Sequence, residues 1–168
     1  TAHLGMTKAL FANSGSEAND QAVKMVWYYF NAIGKPAKKK LIARERAYHG
    51  VTVMSASLTG LAGNHMDFDL PIGDRVLRTA CPSLHHYGKP GESEAVFVDR
   101  IVGELEALIA REGADTIAAF FAEPVQGAGG VIIPPPGYWD KVQTVLRRND
   151  ILLVADEVIT GFGRTGQW

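Results

Sequence analysis

Cysteine is nearly missing: Cys81 stands alone among 168 residues, which excludes an internal disulfide framework. A lone thiol fits a reducing compartment, and we expect a cytoplasmic protein. Excess charge is missing too. A net charge of −1 gives no electrostatic case for nucleic acid or an anionic membrane surface as a partner. No apolar run approaches the length of a membrane span, and the first residues lack the charged and apolar regions of a signal peptide. There is no internal repeat and no G-x-x-x-x-G-K-[ST], so a P-loop nucleotide site is disfavoured. What is present, 46% hydrophobic and 21% charged residues, suits one compact domain or most of a larger one with a sizeable buried core. The chain starts at Thr1 rather than Met and stops at Trp168 directly after a Gly-rich turn. We expect a piece of a longer protein, with residues 1–168 forming part of its large domain.

Hydrophobic periodicity predicts alternating strands and helices. Leu41 to Arg44 reads as a strand, and residues 51–58 as a helix or a second extended segment. Residues 60–95, rich in Gly, Pro, His and Asp, read as loops with one strand around residues 75–78. Lys38, Lys39 and Lys40 are expected in a solvated loop, and Pro134 to Pro136 in a rigid approach to a helix. Val98, Ile101, Val102, Leu105, Leu108 and Ile109 follow the i, i+3, i+4, i+7 pattern of an amphipathic helix. Residues 117–122 form a continuous apolar run, which marks a strand buried on both faces. Tyr138, Val142, Val145 and Leu146 predict another helix ending near Asn149, and residues 151–155 a second fully apolar strand. Strand, helix, strand in that order implies a parallel sheet covered by helices on both faces. The class is α/β.

The stretch LFANSGSEANDQAV, residues 10–23, breaks an apolar run with Ser14-Gly15-Ser16 and continues with helical spacing through Ala18, Ala22, Val23, Val26 and Phe30. Ser14 and Glu17 have the spacing of a capping box. Two readings stand: a well-capped core helix, or an anion site in which glycine lets the backbone approach a ligand at a helix start. Each apolar strand ends in acid, Glu123-Pro124 after one and Asp156-Glu157 after the other. Ligands of open parallel sheets bind beyond the carboxyl ends of the strands. The Ser14-Gly15-Ser16 turn, after an expected strand, should face the same crevice. A phosphorylated ligand with a basic nitrogen uses both features, and pyridoxal phosphate is one. Asp156-Glu157 could instead be a metal-binding or Walker-B-like pair, or a helix cap. Gly127-Ala128-Gly129-Gly130 is a weak nucleotide-loop signal, since prolines follow it instead of a helix start.

NSGSEAND, YHG, EPVQGAGG and LLVADEVITGFGRTG occur in the order and approximate spacing of the class III aminotransferases, pyridoxal-phosphate enzymes of fold type I, and the resemblance covers essentially the whole chain. It is most similar to the omega-amino-acid and amine:pyruvate transaminases of that class. The resemblance implies that Gly15 and Ser16 hold the cofactor phosphate, which favours the anion reading of the turn. It implies that Tyr48 packs on one face of the pyridine ring, Asp156 pairs with the ring nitrogen and Val158 lies against the opposite face. Positions i and i+2 of extended chain point the same way, which would aim Asp156 and Val158 together. His49 is a donor behind the site or a structural histidine, and Glu123 a supporting residue near it. Arg164 would support a substrate loop or form a structural salt bridge.

Ornithine- and 4-aminobutyrate-type members carry a glutamate where Ala128 stands and a glutamine where Ile159 stands, so both positions argue against those activities. The resemblance implies an amine and a keto acid such as pyruvate as substrates, and a homodimer. The family's Schiff-base lysine would lie beyond Trp168, as would the small C-terminal domain, so no catalytic lysine is expected in this chain. The other possibility is a non-catalytic remnant or cofactor-binding module.

Overall fold

The computed structural model describes residues 5–70 and 73–166; the expected cut ends, Thr1 and Trp168, lie outside them. Helix α1 (Gly15–Ala32) begins where Ser14 Oγ accepts from the Glu17 N–H at 3.1 Å. The reciprocal half of the box is displaced by one residue. Glu17 Oε2 accepts from the Asn13 N–H at 2.8 Å and from the Asn13 side-chain amide at 3.1 Å. The strand expected before Ser14 does not form: residues 6–12 have no regular structure, and Leu10 and Phe11 are exposed. No strand of the sheet pairs with them, so their apolarity has no ladder to join.

Next come β1 (Lys40–Arg44), α2 (Val53–Leu58) and β2 (Val76–Thr79). They are followed by α3 (Leu84–Tyr87), α4 (Glu94–Glu112), β3 (Ile117–Ala122), α5 (Tyr138–Arg148) and β4 (Leu152–Ala155). The loop-rich stretch thus holds one unexpected turn of α-helix, α3, and two 3-10 turns, Ala62–Asn64 and Gly73–Arg75, beside the expected strand β2. The strands form one parallel sheet in the order β2-β1-β3-β4. Period-two alternation sends neighbouring side chains to opposite faces. Leu41, Ala43 and Phe121 pack with Val23, Val26 and Phe30 of α1, while Ile42 and Phe120 pack with α4 and α5. Helices therefore cover both faces, as expected.

Two expectations need correction. The second apolar strand is not buried on both faces: in β4, Leu153 is 38% exposed. Among the described residues it is bonded to β3 alone, and of its side chains Leu152 and Val154 reach the cluster under α1. Lys38 is not solvated. Its side chain is buried, lies over the Phe30 ring at 5.1 Å, and donates to the carbonyls of Ala114, Ile117, Asn149 and Asp150 at 2.8–3.4 Å. Its aliphatic stem suits the interior and its ammonium satisfies carbonyls left over where α4 and α5 end.

From β1 the chain goes to β2 on one side, and β3 then lies on the other side of β1. The strand order reverses there, so the carboxyl ends of β1 and β3 border the crevice where such sheets take ligands.

Candidate cofactor site

The loops beyond β1, β3 and β4 meet the start of α1 at that crevice. The first-turn N–H groups of Gly15 and Ser16 have no intrahelical acceptor, and the helix dipole is positive there. Ser16 Oγ accepts from the Val51 N–H at 3.0 Å, which leaves the hydroxyl proton free to donate outward. Gly50, at φ +130°, makes that approach possible: a Cβ there would stand 2.3 Å from Ser16 Oγ. At Gly15 a Cβ would meet Val158 Cγ2 at 3.0 Å, so this glycine lets α1 close on the loop after β4.

Asp156 follows β4 directly, and its N–H donates to the Ala122 carbonyl at 2.9 Å, so its strand end adjoins that of β3 as expected. Its side chain is buried and its Oδ2 accepts twice, from His49 Nδ1 at 2.8 Å and from Asn19 Nδ2 at 2.9 Å. Oδ1 takes only the Val158 N–H, at 3.3 Å. Burial pushes the carboxyl up. The hydrogen bonds from His49 and Asn19, the His49 charge and the Val158 N–H outweigh it and hold Asp156 below the ordinary carboxylate range. Its neighbour Glu157 is exposed, so the two acids diverge and do not act as a pair.

The extended-chain argument for Asp156 and Val158 fails. Residues 158–160 form a turn, and Val158 is 69% exposed while Asp156 is buried. The turn brings Val158 against Gly15 instead, so both residues still border the crevice by a different route. Tyr48 lies at the rim, 37% exposed, its N–H donating to Glu123 Oε1 at 3.0 Å. Glu123 Oε2 accepts from the Gly127 N–H at 2.9 Å, so this buried carboxylate joins the Tyr48 loop to the Gly127 turn.

His49 is buried, its N–H held by Thr59 Oγ1 at 2.9 Å and its ring edge-on to Phe121. It is both structural and a donor to the site. Arg164 is exposed and, among the described residues, makes no salt bridge, contrary to the structural pairing expected for it. Ile159 lies against Gly127: a Cβ at that glycine would meet Ile159 Cδ1 at 2.7 Å. The two subclass-marking positions, Ala128 and Ile159, therefore share one corner of the rim.

Asn19 is the site residue that sequence reasoning missed. Its signal was available: a polar residue on the stripe Asn19, Val23, Val26, Phe30, all of them buried. Among the described residues no group of three or more His, Cys, Asp or Glu side chains could hold a metal ion.

The donor set fits a phosphorylated ligand with a basic ring nitrogen: free N–H groups and a hydroxyl for the anion, a buried carboxylate for the nitrogen, and Tyr48 and Val158 at the rim. The match to known proteins agrees. The family model for Aminotransferase class-III covers residues 1–168, and the chain belongs to that family, whose members depend on pyridoxal phosphate. Gamma aminobutyrate transaminase 1, mitochondrial, of Solanum lycopersicum is 60% identical over 96% of this chain and 31% of its own length. Vanillin aminotransferase of Capsicum chinense is 59% identical over 96% of this chain and 35% of its own. Among solved structures, the omega transaminase of Pseudomonas jessenii in complex with PMP has a TM-score of 0.93 at 60% identity, over 96% of this chain and 36% of that one. The chain thus spans about a third of the length of the curated relatives it matches.

Proposed function

We propose that this chain is part of the large domain of a pyridoxal-phosphate aminotransferase that moves an amino group from an amine or omega-amino acid to a keto acid such as pyruvate. The observation that carries the reading is Asp156, a buried carboxylate held ionised by His49 and Asn19 beside the start of α1. When bound, the cofactor supplies an electron sink for the substrate's carbon electrons. In this chain, Gly15 and Ser16 would anchor its phosphate, Tyr48 and Val158 would border its ring, and Asp156 would keep the proton on its ring nitrogen. His49 and Asn19 orient Asp156, while Glu123 fixes the Tyr48 loop.

The covalent lysine lies outside residues 1–168 in this reading. In support, the lysine side chains with partners among the described residues bond elsewhere: Lys38 to carbonyls, Lys35 to Asp150, Lys40 to Glu112, Lys141 to Asp99, Lys24 to Gln21 and Lys39 to Asn31. Residues 1–168 alone, given pyridoxal phosphate, should transfer no amino group. Exposed Leu10, Phe11, Met25 and Tyr28, on and before α1, support a homodimer in which a second copy covers that face. The single, buried, free cysteine supports a reducing compartment such as the cytoplasm.

The test is Asp156→Asn in the full-length protein. An amide cannot hold the ring nitrogen protonated, so turnover should fall on the order of 10²-fold or more, while dialysis still finds the cofactor retained. Near-normal turnover would remove Asp156 from the role and the reading with it.

A further inference from the structure

We propose that Asn19 is a positioning residue that couples the phosphate anchor to the ring-nitrogen carboxylate, so that one helix sets the orientation of both ends of the cofactor site. This rests on the reading of Asp156 given above.

Three observations carry it. First, both protons of the Asn19 side-chain amide are committed. Nδ2 donates to Asp156 Oδ2 at 2.9 Å and to the His49 carbonyl at 2.8 Å. The amide oxygen cannot take either place, because both partners are acceptors, so the orientation of the group is fixed. Second, Asn19 lies on α1, three residues after Ser16 and four after Gly15, which places it one turn down the same helix from the anion-binding end. A helix turn is rigid, so a shift of the anchor is passed to the carboxylate. Third, the Asn19 and His49 donors both go to Oδ2, and Oδ1 receives only the long bond from the Val158 N–H. That arrangement turns Oδ1 towards the ligand side as the oxygen with capacity left for a ring N–H.

His49 alone would not do this. It holds Oδ2 from one direction, and its own backbone carbonyl is tied to Asn19, so the amide braces the carboxylate and the histidine loop at once. Asn19 itself is 6% exposed, and a buried amide with two strong acceptors is costly to replace. An aliphatic residue would continue the stripe of Val23, Val26 and Phe30 and pack as well; the polar group is there for the carboxylate.

The experiment uses the full-length holoenzyme with ¹⁵N-labelled cofactor and follows the protonation midpoint of the ring nitrogen by its chemical shift. The groups facing Asp156 are His49, Asn19 and the Val158 N–H, so the variants are Asn19→Ala and Asn19→Ser, with Asp156→Asn as the reference. Loss of the brace should lower the midpoint by about one pH unit, a tenfold loss of proton affinity. The thermal midpoint of the cofactor-free protein separates this from a packing role. If Asp156→Asn moves the ring nitrogen and neither Asn19 variant does, the proposal is overturned even where both variants lose stability. If Asp156→Asn itself leaves the nitrogen unmoved, the cofactor reading fails and the proposal falls with it. In the unsubstituted protein, the Asn19 side-chain amide protons should exchange slowly with solvent. Rapid exchange overturns the proposal without any variant having to fold.

Discussion

The guanidinium of Arg44 donates to the main-chain carbonyl of Glu123 and not to its carboxylate. Arg44 ends β1 and is fully buried against the Trp139 ring. By taking the carbonyl, it leaves both carboxylate oxygens of Glu123 to the N–H groups of Tyr48 and Gly127. Glu123→Gln should break this joint. An amide accepts on one side and presents N–H on the other, so one backbone N–H would face a donor. The expected cost is about 1–3 kcal/mol, read by urea unfolding, with weaker cofactor retention as the Tyr48 loop loosens. Unchanged stability and retention would show that the two N–H groups have other partners.

Ser16→Ala removes one phosphate donor and leaves the Val51 N–H without its acceptor. An anchor holds ground and transition states alike, so retention should suffer more than turnover. Cofactor affinity should fall by about 1–3 kcal/mol, measured by equilibrium dialysis. Equal affinity in the variant would take Ser16 out of the site.

Gly50→Ala combines two penalties, φ +130° and a Cβ placed 2.3 Å from Ser16 Oγ and 2.6 Å from Ser55 Oγ. Gly91→Ala is the control: φ is +76°, yet nothing lies within 4 Å of its Cβ. Backbone strain should cost both variants about 1–3 kcal/mol of stability, and only Gly50→Ala should also displace Ser16 and lose cofactor. Matching cofactor affinities in the two variants would rule out a steric role for Gly50 at the anchor.

Fold class, the core strand β3, the amphipathic helix α4 and the polar residues at the strand ends were all legible in the sequence, because each has a one-dimensional signature. β3 is a run of six buried residues and α4 an apolar stripe. Errors arose where burial depends on neighbours. Residues 151–155 are as apolar as a central strand, but among the described residues the sheet order leaves β4 at the edge. Lys38 is one of three consecutive lysines, and only the convergence of two helix ends reveals which one is buried. Asn19 is hidden in the sequence because helical periodicity shows in apolar positions, and a polar member of the buried stripe looks like a gap.

Lys38→Met tests the buried cation. Methionine can follow the path of the aliphatic stem but cannot donate, so the carbonyls of Ala114, Ile117 and Asp150, bonded now at 2.8–2.9 Å, would be left unpaired. Stability should fall by about 1–3 kcal/mol or more with no change in cofactor affinity, since these carbonyls belong to the far ends of the helices and strands from Asp156. A stability equal to the parent's in urea would mean that water replaces the ammonium without penalty.

Asp156 should also govern acid stability, and the sign follows from its pKa. Burial raises it, but the hydrogen bonds from His49 and Asn19, with the His49 charge and the Val158 N–H, bring the folded value below the ordinary 3.8. Between the two values the unfolded chain holds a proton that the folded chain does not, so stability rises with pH across that window. The contribution is complete above the unfolded value and is lost as pH falls through the folded one. Asp156→Asn cannot titrate, so it provides the baseline. Urea unfolding of the cofactor-free, full-length protein should give a difference between parent and variant that is constant above about pH 5 and shrinks towards pH 2. A difference that stays level to pH 2, or widens as acid is added, would mean that Asp156 is not held ionised by His49 and Asn19.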